Sequence, residues 1–235
     1  MRLYLLELGN IRHDWAPNGR LPVQGYLIRT DDGTNVLVDT GFPAEAPPGM
    51  FELPPGQGVV DQLAALDLIP SDIHYVICTH LDPDHAGNHD LFTEAEFVIQ
   101  RSHWELAQAD SVPRLRVAKP HWDQPHLKYR TVDGDAELLP GIELIETSGH
   151  ILGHQSVLVR LPRTGPVLLA IDTITQEKAL DPENRPMTNY DLDPDGVRAS
   201  TRKLVDLARR ENALIVRGHD GVQWDTLRRA PEYYD

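Results

Sequence analysis

Four potential metal ligands fall within six residues in the run Thr79-His80-Leu81-Asp82-Pro83-Asp84-His85-Ala86-Gly87, directly after the β-rich stretch Ile73 to Cys78. Few features constrain a chain more. A segment leaving a strand projects residues two apart in the same direction, so His80, Asp82 and Asp84 can converge while His85 reaches a neighbouring point. Four donors so arranged can serve two metal ions. Pro83 stiffens the loop, and Gly87 is expected to let the backbone turn tightly. Taken alone, the cluster is also what a solvated acidic turn looks like, since Asp and Pro are common turn formers. Three downstream features argue against that: Gly149-His150 and Gly218-His219 each set a histidine beside a glycine just after a strand, and Asp172 closes the apolar run Val167 to Ile171. Donors at successive strand ends point to one shared site.

The order of elements supports a layered α/β domain. Strands are expected at Leu3 to Leu8, Val23 to Arg29 and Asn35 to Asp39, the last two joined by Asp31-Asp32-Gly33. The Pro-rich stretch Phe42 to Gly58 is expected to be irregular, and Val60 to Leu68 to be helical. Further strands are expected at Ile73 to Thr79, Glu96 to Gln100, Ile142 to Glu146, Ser156 to Leu161, Val167 to Ile171 and Ala213 to Val216. Helices follow near Ser102 to Asp110 and from Asp193-Pro194, a good N-cap and first-turn pair, to about Arg210. Residues 110 to 128 form a candidate lid or pocket wall. Without strict βαβ alternation, the order implies an αββα sandwich of two mixed β-sheets flanked by helices, a single domain over residues 1–235.

Composition narrows the partners. Against 22 basic residues stand 36 acidic ones, a formal charge of −14 that disfavours nucleic acid and anionic membranes. The single cysteine, Cys78, rules out an intramolecular disulfide or a cysteine-rich zinc site, and reads as a buried core residue. No apolar run is long enough to span a membrane and the N-terminus lacks a signal-peptide pattern, so a soluble, cytoplasmic protein is expected. No Gly-x-Ser-x-Gly elbow supports a serine hydrolase.

The succession HxDxDH from His80, SGHxxGHQS from Ser148, AIDT from Ala170 and RGHD from Arg217 resembles the metallo-β-lactamase superfamily. Within it, Gly25-Tyr26-Leu27-Ile28, Val36 to Gly41, Asp84 to Gly87 and Gly149 to Ser156 are most similar to the N-acyl homoserine lactonase branch. The resemblance implies that His80, residue 82 and His150 hold one metal, that Asp84, His85 and His219 hold a second, and that Asp172 bridges them. Two divalent ions about 3.5 to 4 Å apart would activate a water and polarise a carbonyl, with Asp84 orienting the nucleophile. The implied reaction is opening of a lactone ring, with other esters, glyoxalase II-like thioesters and diiron oxygen chemistry as alternatives.

This chain departs from the pattern in two places. Asp82 stands where the family usually has His, which is expected to favour manganese or iron over zinc and to make bound water less acidic. No tyrosine closely follows Asp172, and Tyr190 reads as an ordinary half-buried residue. His154 is expected to orient a ligand. His13, His74, His89, His103, His121 and His126 read as surface or structural, and Trp104, Trp122, Met50 and Phe51 as either acyl-pocket or core residues.

Overall fold

The computed structural model describes every residue except Trp15, Pro17, Asn18 and Ala46 to Pro48. Its first sheet contains β1 (Arg2–Arg12), β2 (Arg20–Arg29), β3 (Asn35–Val38), β4 (Phe51–Glu52), β5 (Tyr75–Ile77), β6 (Glu96–Gln100) and β7 (Lys128–Val132), in the spatial order β4-β1-β2-β3-β5-β6-β7. The second contains β8 (Ala136–Leu139), β9 (Ile142–Glu146), β10 (Gln155–Leu161), β11 (Gly165–Leu169) and β12 (Leu214–Val216), in the order β12-β11-β10-β9-β8. Both sheets mix parallel and antiparallel pairs: β3, β5, β6 and β7 run parallel, as do β11 and β12, and the remaining ladders are antiparallel.

The period-2 alternation of the strands builds the layers. Leu3, Leu5, Tyr26, Ile28, Val36, Val38, Ile77 and Val98 face the second sheet, where Ile142, Leu144, Val157, Val159, Val167 and Leu169 meet them. Their alternates Leu6, Leu27, Leu37, Val76 and Phe97 point outward to α1 (Val59–Ala64) and its neighbours Leu66 and Leu68. On the far side Ile145, Leu158 and Leu168 pack against Leu204, Val205 and Ala208 of α5 (Pro194–Glu211). The result is the expected α/β/β/α sandwich. α5 begins as its sequence predicts: Asp193 accepts a hydrogen bond from Gly196 N at 3.1 Å, Pro194 occupies the first turn, and Asn212 ends the helix with φ 52°.

Several expectations need correction. The Pro-rich stretch contributes the two-residue strand β4, because Phe51 and Glu52 pair with Ile11 and Asn10 at a sheet edge, which demands little regularity. Its residues 46–48 lie outside the described residues. Strands β7 and β8 were not expected; both are half-exposed, so they carry little of the apolar signal that marks the buried strands. Strand β11 stops at Leu169, and Asp172 sits in a 3-10 turn over Ile171–Thr173. The run from Ser111 to Lys119 is not structureless: it holds a 3-10 helix at Pro113–Val117 and leads into α4 (Lys119–Trp122). Trp122 is fully buried with Trp104 of α3 (Arg101–Gln108) against it, so both serve the core rather than a pocket, as does Cys78. Phe51 stacks on Phe42, and Met50 is exposed.

Candidate metal centre

The sandwich gathers all seven expected donors at one end. β5 ends at Ile77, and Thr79-His80 leave it extended. Asp82, with φ −63° and ψ 151°, then starts the single-turn helix α2 (Pro83–Ala86). The motif is therefore half extended and half helical rather than a loop. That geometry separates the donors: His80 joins His150 and Asp172 in one group, and Asp84 and His85 join His219 in another. In each group, one ligand atom per residue lies within 4.8 Å of the others, and all six residues are buried. Gly87 serves close packing rather than a turn. Its φ is −74°, and a Cβ there would meet Pro43 at 2.3 Å.

Asp172 faces both groups. Its Oδ1 lies 3.1 Å from His219 Nε2 and 3.5 Å from His85 Nε2, while its Oδ2 lies 3.6 Å from His150 Nε2 and 3.9 Å from His80 Nε2. Each histidine turns its Nε2 inward because its Nδ1 is engaged elsewhere. His80 Nδ1 meets Thr79 Oγ1 at 3.1 Å, His85 Nδ1 meets Asp39 Oδ2 at 2.8 Å, His150 Nδ1 meets Asp191 Oδ1 at 3.2 Å, and His219 Nδ1 donates to the Pro22 carbonyl at 2.8 Å. Outer partners of this kind set the ring orientation and the tautomer.

Two observations test whether these residues suit metal ions. Buried atoms His80 Nε2, His85 Nε2 and Asp172 Oδ1 have no hydrogen-bond partner, which a fold avoids unless something else satisfies them. The field at the site also calls for cations. Burial pushes the His150 imidazole down, but hydrogen bonds that it donates to Asp191 and Asp82 outweigh it and raise it to about 9. For His85 burial is likewise outweighed, by Asp84, Asp172 and Asp39, and the ring is held well above its ordinary value. Imidazole nitrogens with carboxylates suit zinc, manganese or iron, so the donor set fits.

Asp82 stands apart from the two groups. Its Oδ2 lies 3.2 Å from His150 Nε2 and 3.5 Å from His80 Nε2, so it faces the same point as those rings. Its Oδ1 accepts a hydrogen bond from Arg114 Nε at 2.7 Å. Sequence reasoning gave Arg114 no role, and its place in the 110–128 stretch was the only signal. Asp39 and Asp191 also went unassigned. Asp39 directly follows β3, beside the end of β5, where its carboxylate accepts from Thr79 N at 2.9 Å and Thr79 Oγ1 at 2.7 Å.

Among the other histidines, His154 packs its ring 4.9 Å from that of His80 and bonds Thr147 Oγ1 at 2.9 Å, so it buttresses a donor by contact rather than by a hydrogen bond. His103 is structural and close by: its Nε2 accepts from Leu81 N at 2.9 Å and its Nδ1 donates to the Leu152 carbonyl at 2.8 Å. Tyr190 is about half exposed, with Arg114 over its ring at 5.8 Å.

A sandwich of two mixed sheets with histidine and aspartate donors at one end defines a class, and residues 18–219 match the family model described as "Metallo-beta-lactamase superfamily". The chain belongs to that superfamily. Within it, this chain is similar to proteins named N-acyl homoserine lactonase. One from Bacillus thuringiensis is 33% identical over 226 residues, covering 91% of this chain and 87% of that protein. Another, AttM of Rhizobium johnstonii, is 33% identical over 267 residues, covering 100% and 98%. Among solved structures, an N-acyl homoserine lactone hydrolase with the product N-hexanoyl-L-homoserine at its catalytic metal centre superposes with a TM-score of 0.87 at 30% identity, covering 99% of this chain and 98% of that one.

Proposed function

We propose that this protein is a two-metal hydrolase that opens the lactone ring of N-acyl homoserine lactones. The observation that carries the reading is Asp172, whose two carboxylate oxygens each face a separate histidine-containing group. His80, His150 and Asp172 would hold one divalent ion and Asp84, His85 and His219 the other, with Asp172 shared and Asp82 Oδ2 adding a donor to the first. Two such ions supply an acidified water and polarisation of the scissile carbonyl.

The chain's own residues supply the rest. Asp84 Oδ2 lies 3.4 Å from His85 Nε2 and 3.5 Å from His219 Nε2, and its carboxylate would orient the attacking nucleophile at that edge of the site. The Nδ1 partners Thr79, Asp39, Asp191 and the Pro22 carbonyl keep the four rings aimed. Around His150, Leu152, Tyr190 and Leu192 expose apolar surface, and Leu192 N is bonded to the His150 carbonyl at 3.1 Å. Exposed apolar side chains beside a polar centre suit a substrate with a hydrocarbon tail and a polar head. Among the described residues no helix is long and apolar enough to cross a membrane, and neither membrane nor nucleic acid has a part in the proposal. A cytoplasmic location belongs to the same reading, supported by the one buried cysteine.

The test is hydrolysis of N-hexanoyl homoserine lactone followed by acid release in a pH-stat, with metal content measured on the same preparation. Ring opening that stops on chelation and returns with added zinc or manganese is the expected result. Inert lactones alongside turnover of glutathione thioesters would replace this reading with a thioesterase, and metal-dependent oxygen uptake without hydrolysis would replace it with a redox protein.

A further inference from the structure

The pair Arg114–Asp82 lies at the edge of the first metal group; at the second, the largely buried pair Arg217–Asp220 flanks His219 in sequence, but among the described residues no guanidinium is paired with Asp84, His85 or His219. Arg114 reaches from the Pro113–Val117 turn and donates from Nε to Asp82 Oδ1 at 2.7 Å and from Nη1 to the Tyr190 carbonyl at 2.8 Å. Its Nη2 lies 3.4 Å from both the carbonyl and Nε2 of His150. Both partners of the pair are largely sequestered, with side-chain exposures of 18% and 7%. Around the second group, by contrast, the ion pairs of Asp84, His85 and His219 run to Asp39, Asp172 and one another.

A guanidinium keeps its charge at any workable pH, so the positive charge beside His150 Nε2 is permanent. It has two effects on a cation placed among His80, His150 and Asp172. It holds one oxygen of Asp82 away while leaving Oδ2 facing the two rings, and it repels the incoming ion. It also cancels the charge of Asp82. With Arg114 counted, the site carries the same net charge as one with a neutral histidine at position 82, so net charge gives no reason for the less acidic bound water expected from Asp82.

Building on the two-metal reading, we propose that Arg114 grades the two metal positions, weakening the first relative to the second so that the ions load in order. Arg114 acts here as a positioning and charge-setting residue rather than a catalytic one. A unit charge acting on a divalent ion at about 5 Å in a water-like medium changes affinity by about tenfold or more, and burial enlarges the effect.

Metal-stripped protein titrated with Co2+, followed by calorimetry and visible absorption, tests this without reference to activity. The wild type should take up two ions in unequal steps. Arg114→Gln should tighten the weaker step by about tenfold or more and the stronger, a few ångströms further off, by about fivefold at most, so that the two steps draw together, whereas Arg114→Lys, which keeps the charge, should retain the wild-type ratio. Equal steps in the wild type would overturn the inference and leave the two-metal reading standing. So would a weaker step that Arg114→Gln loosens or leaves in place, or a lysine variant that behaves like the glutamine one. Fewer than two ions in the wild type would overturn the two-metal reading itself, and this inference with it.

Discussion

Asp39→Asn removes one charge and changes almost nothing in shape, and the surrounding hydrogen bonds give its cost. The buried Asp39 carboxylate accepts three bonds: from Thr79 N at 2.9 Å, from Thr79 Oγ1 at 2.7 Å, and from His85 Nδ1 at 2.8 Å. An asparagine has one acceptor oxygen and one NH2 group to place in the same two positions. If the oxygen faces Thr79 N, the NH2 faces His85 Nδ1. That nitrogen must then present a lone pair, which puts the ring proton on Nε2, the atom aimed at the metal. If instead the oxygen faces His85, the NH2 opposes Thr79 N–H and leaves a buried donor unpaired, at about 1 to 3 kcal/mol. The first arrangement would weaken an ion bound by Asp84, His85 and His219, as proposed, by about 10- to 100-fold, or about 1.4 to 2.7 kcal/mol. The loss therefore appears either in metal affinity or in the stability of the metal-free protein. Chelator-competition titration and urea unfolding of stripped protein measure the two. An asparagine variant unchanged in both would refute the account of how His85 is oriented.

Other expectations follow from the same geometry. Burial, aided by the charge of His80, lowers His103 from 6.5 to about 4, so the folded protein holds it neutral while the unfolded chain protonates it. Its contribution, about 3 kcal/mol, is present above pH 6.5 and is lost as pH falls from about 6.5 to about 4; urea midpoints across that range should drop more in the wild type than in His103→Gln. Leu192→Asp places a charge where the acyl tail would lie and should raise KM for decanoyl more than for butyryl homoserine lactone, with metal content unchanged; equal effects on both chains would remove Leu192 from the binding surface. Gly149→Ala should abolish the soluble fold, because its Cβ would meet Val197 N at 2.1 Å and φ is +143°; a soluble variant with normal melting would contradict the packing.

Much of the site was legible because its donors are short-range signals. His80, Asp82, Asp84 and His85 lie within six residues, and His150, Asp172 and His219 each follow a strand that its apolar run announces. The layers were legible for the same reason: strands such as Val36 to Val38 and Val157 to Leu161 are buried on both faces or alternate cleanly. What escaped depends on distance in sequence. Asp39 meets His85 across 46 residues, Asp191 meets His150 across 41, and Arg114 meets Asp82 across 32, and nothing local tells which distant residue each carboxylate or guanidinium will meet. Strands β7 and β8 escaped because half-exposed edge strands lack an apolar face strong enough to read.

Gly149 also bears on how this fold diversifies. Because a Cβ at that position would collide with the backbone of α5, and because Asp193 N bonds the Gly149 carbonyl at 2.8 Å, the start of α5 is clamped to the loop that carries His150. At its other end, the intervening segment from Ile174 to Leu192 is tied by Gly218 N bonding the Ile174 carbonyl at 3.0 Å. Between these anchors only the exposed positions are free to change, because Ala179 and Arg185 are buried, Thr188 bonds Asp191, and the Tyr190 carbonyl holds Arg114. Substitutions at exposed side chains of residues 177 to 186 can reshape the rim that would meet the substrate's tail while the residues beneath stay in register. Evolvability is thus segregated from chemistry, and random libraries confined to those exposed positions should yield altered tail preference with intact metal content far more often than libraries spread over the whole chain.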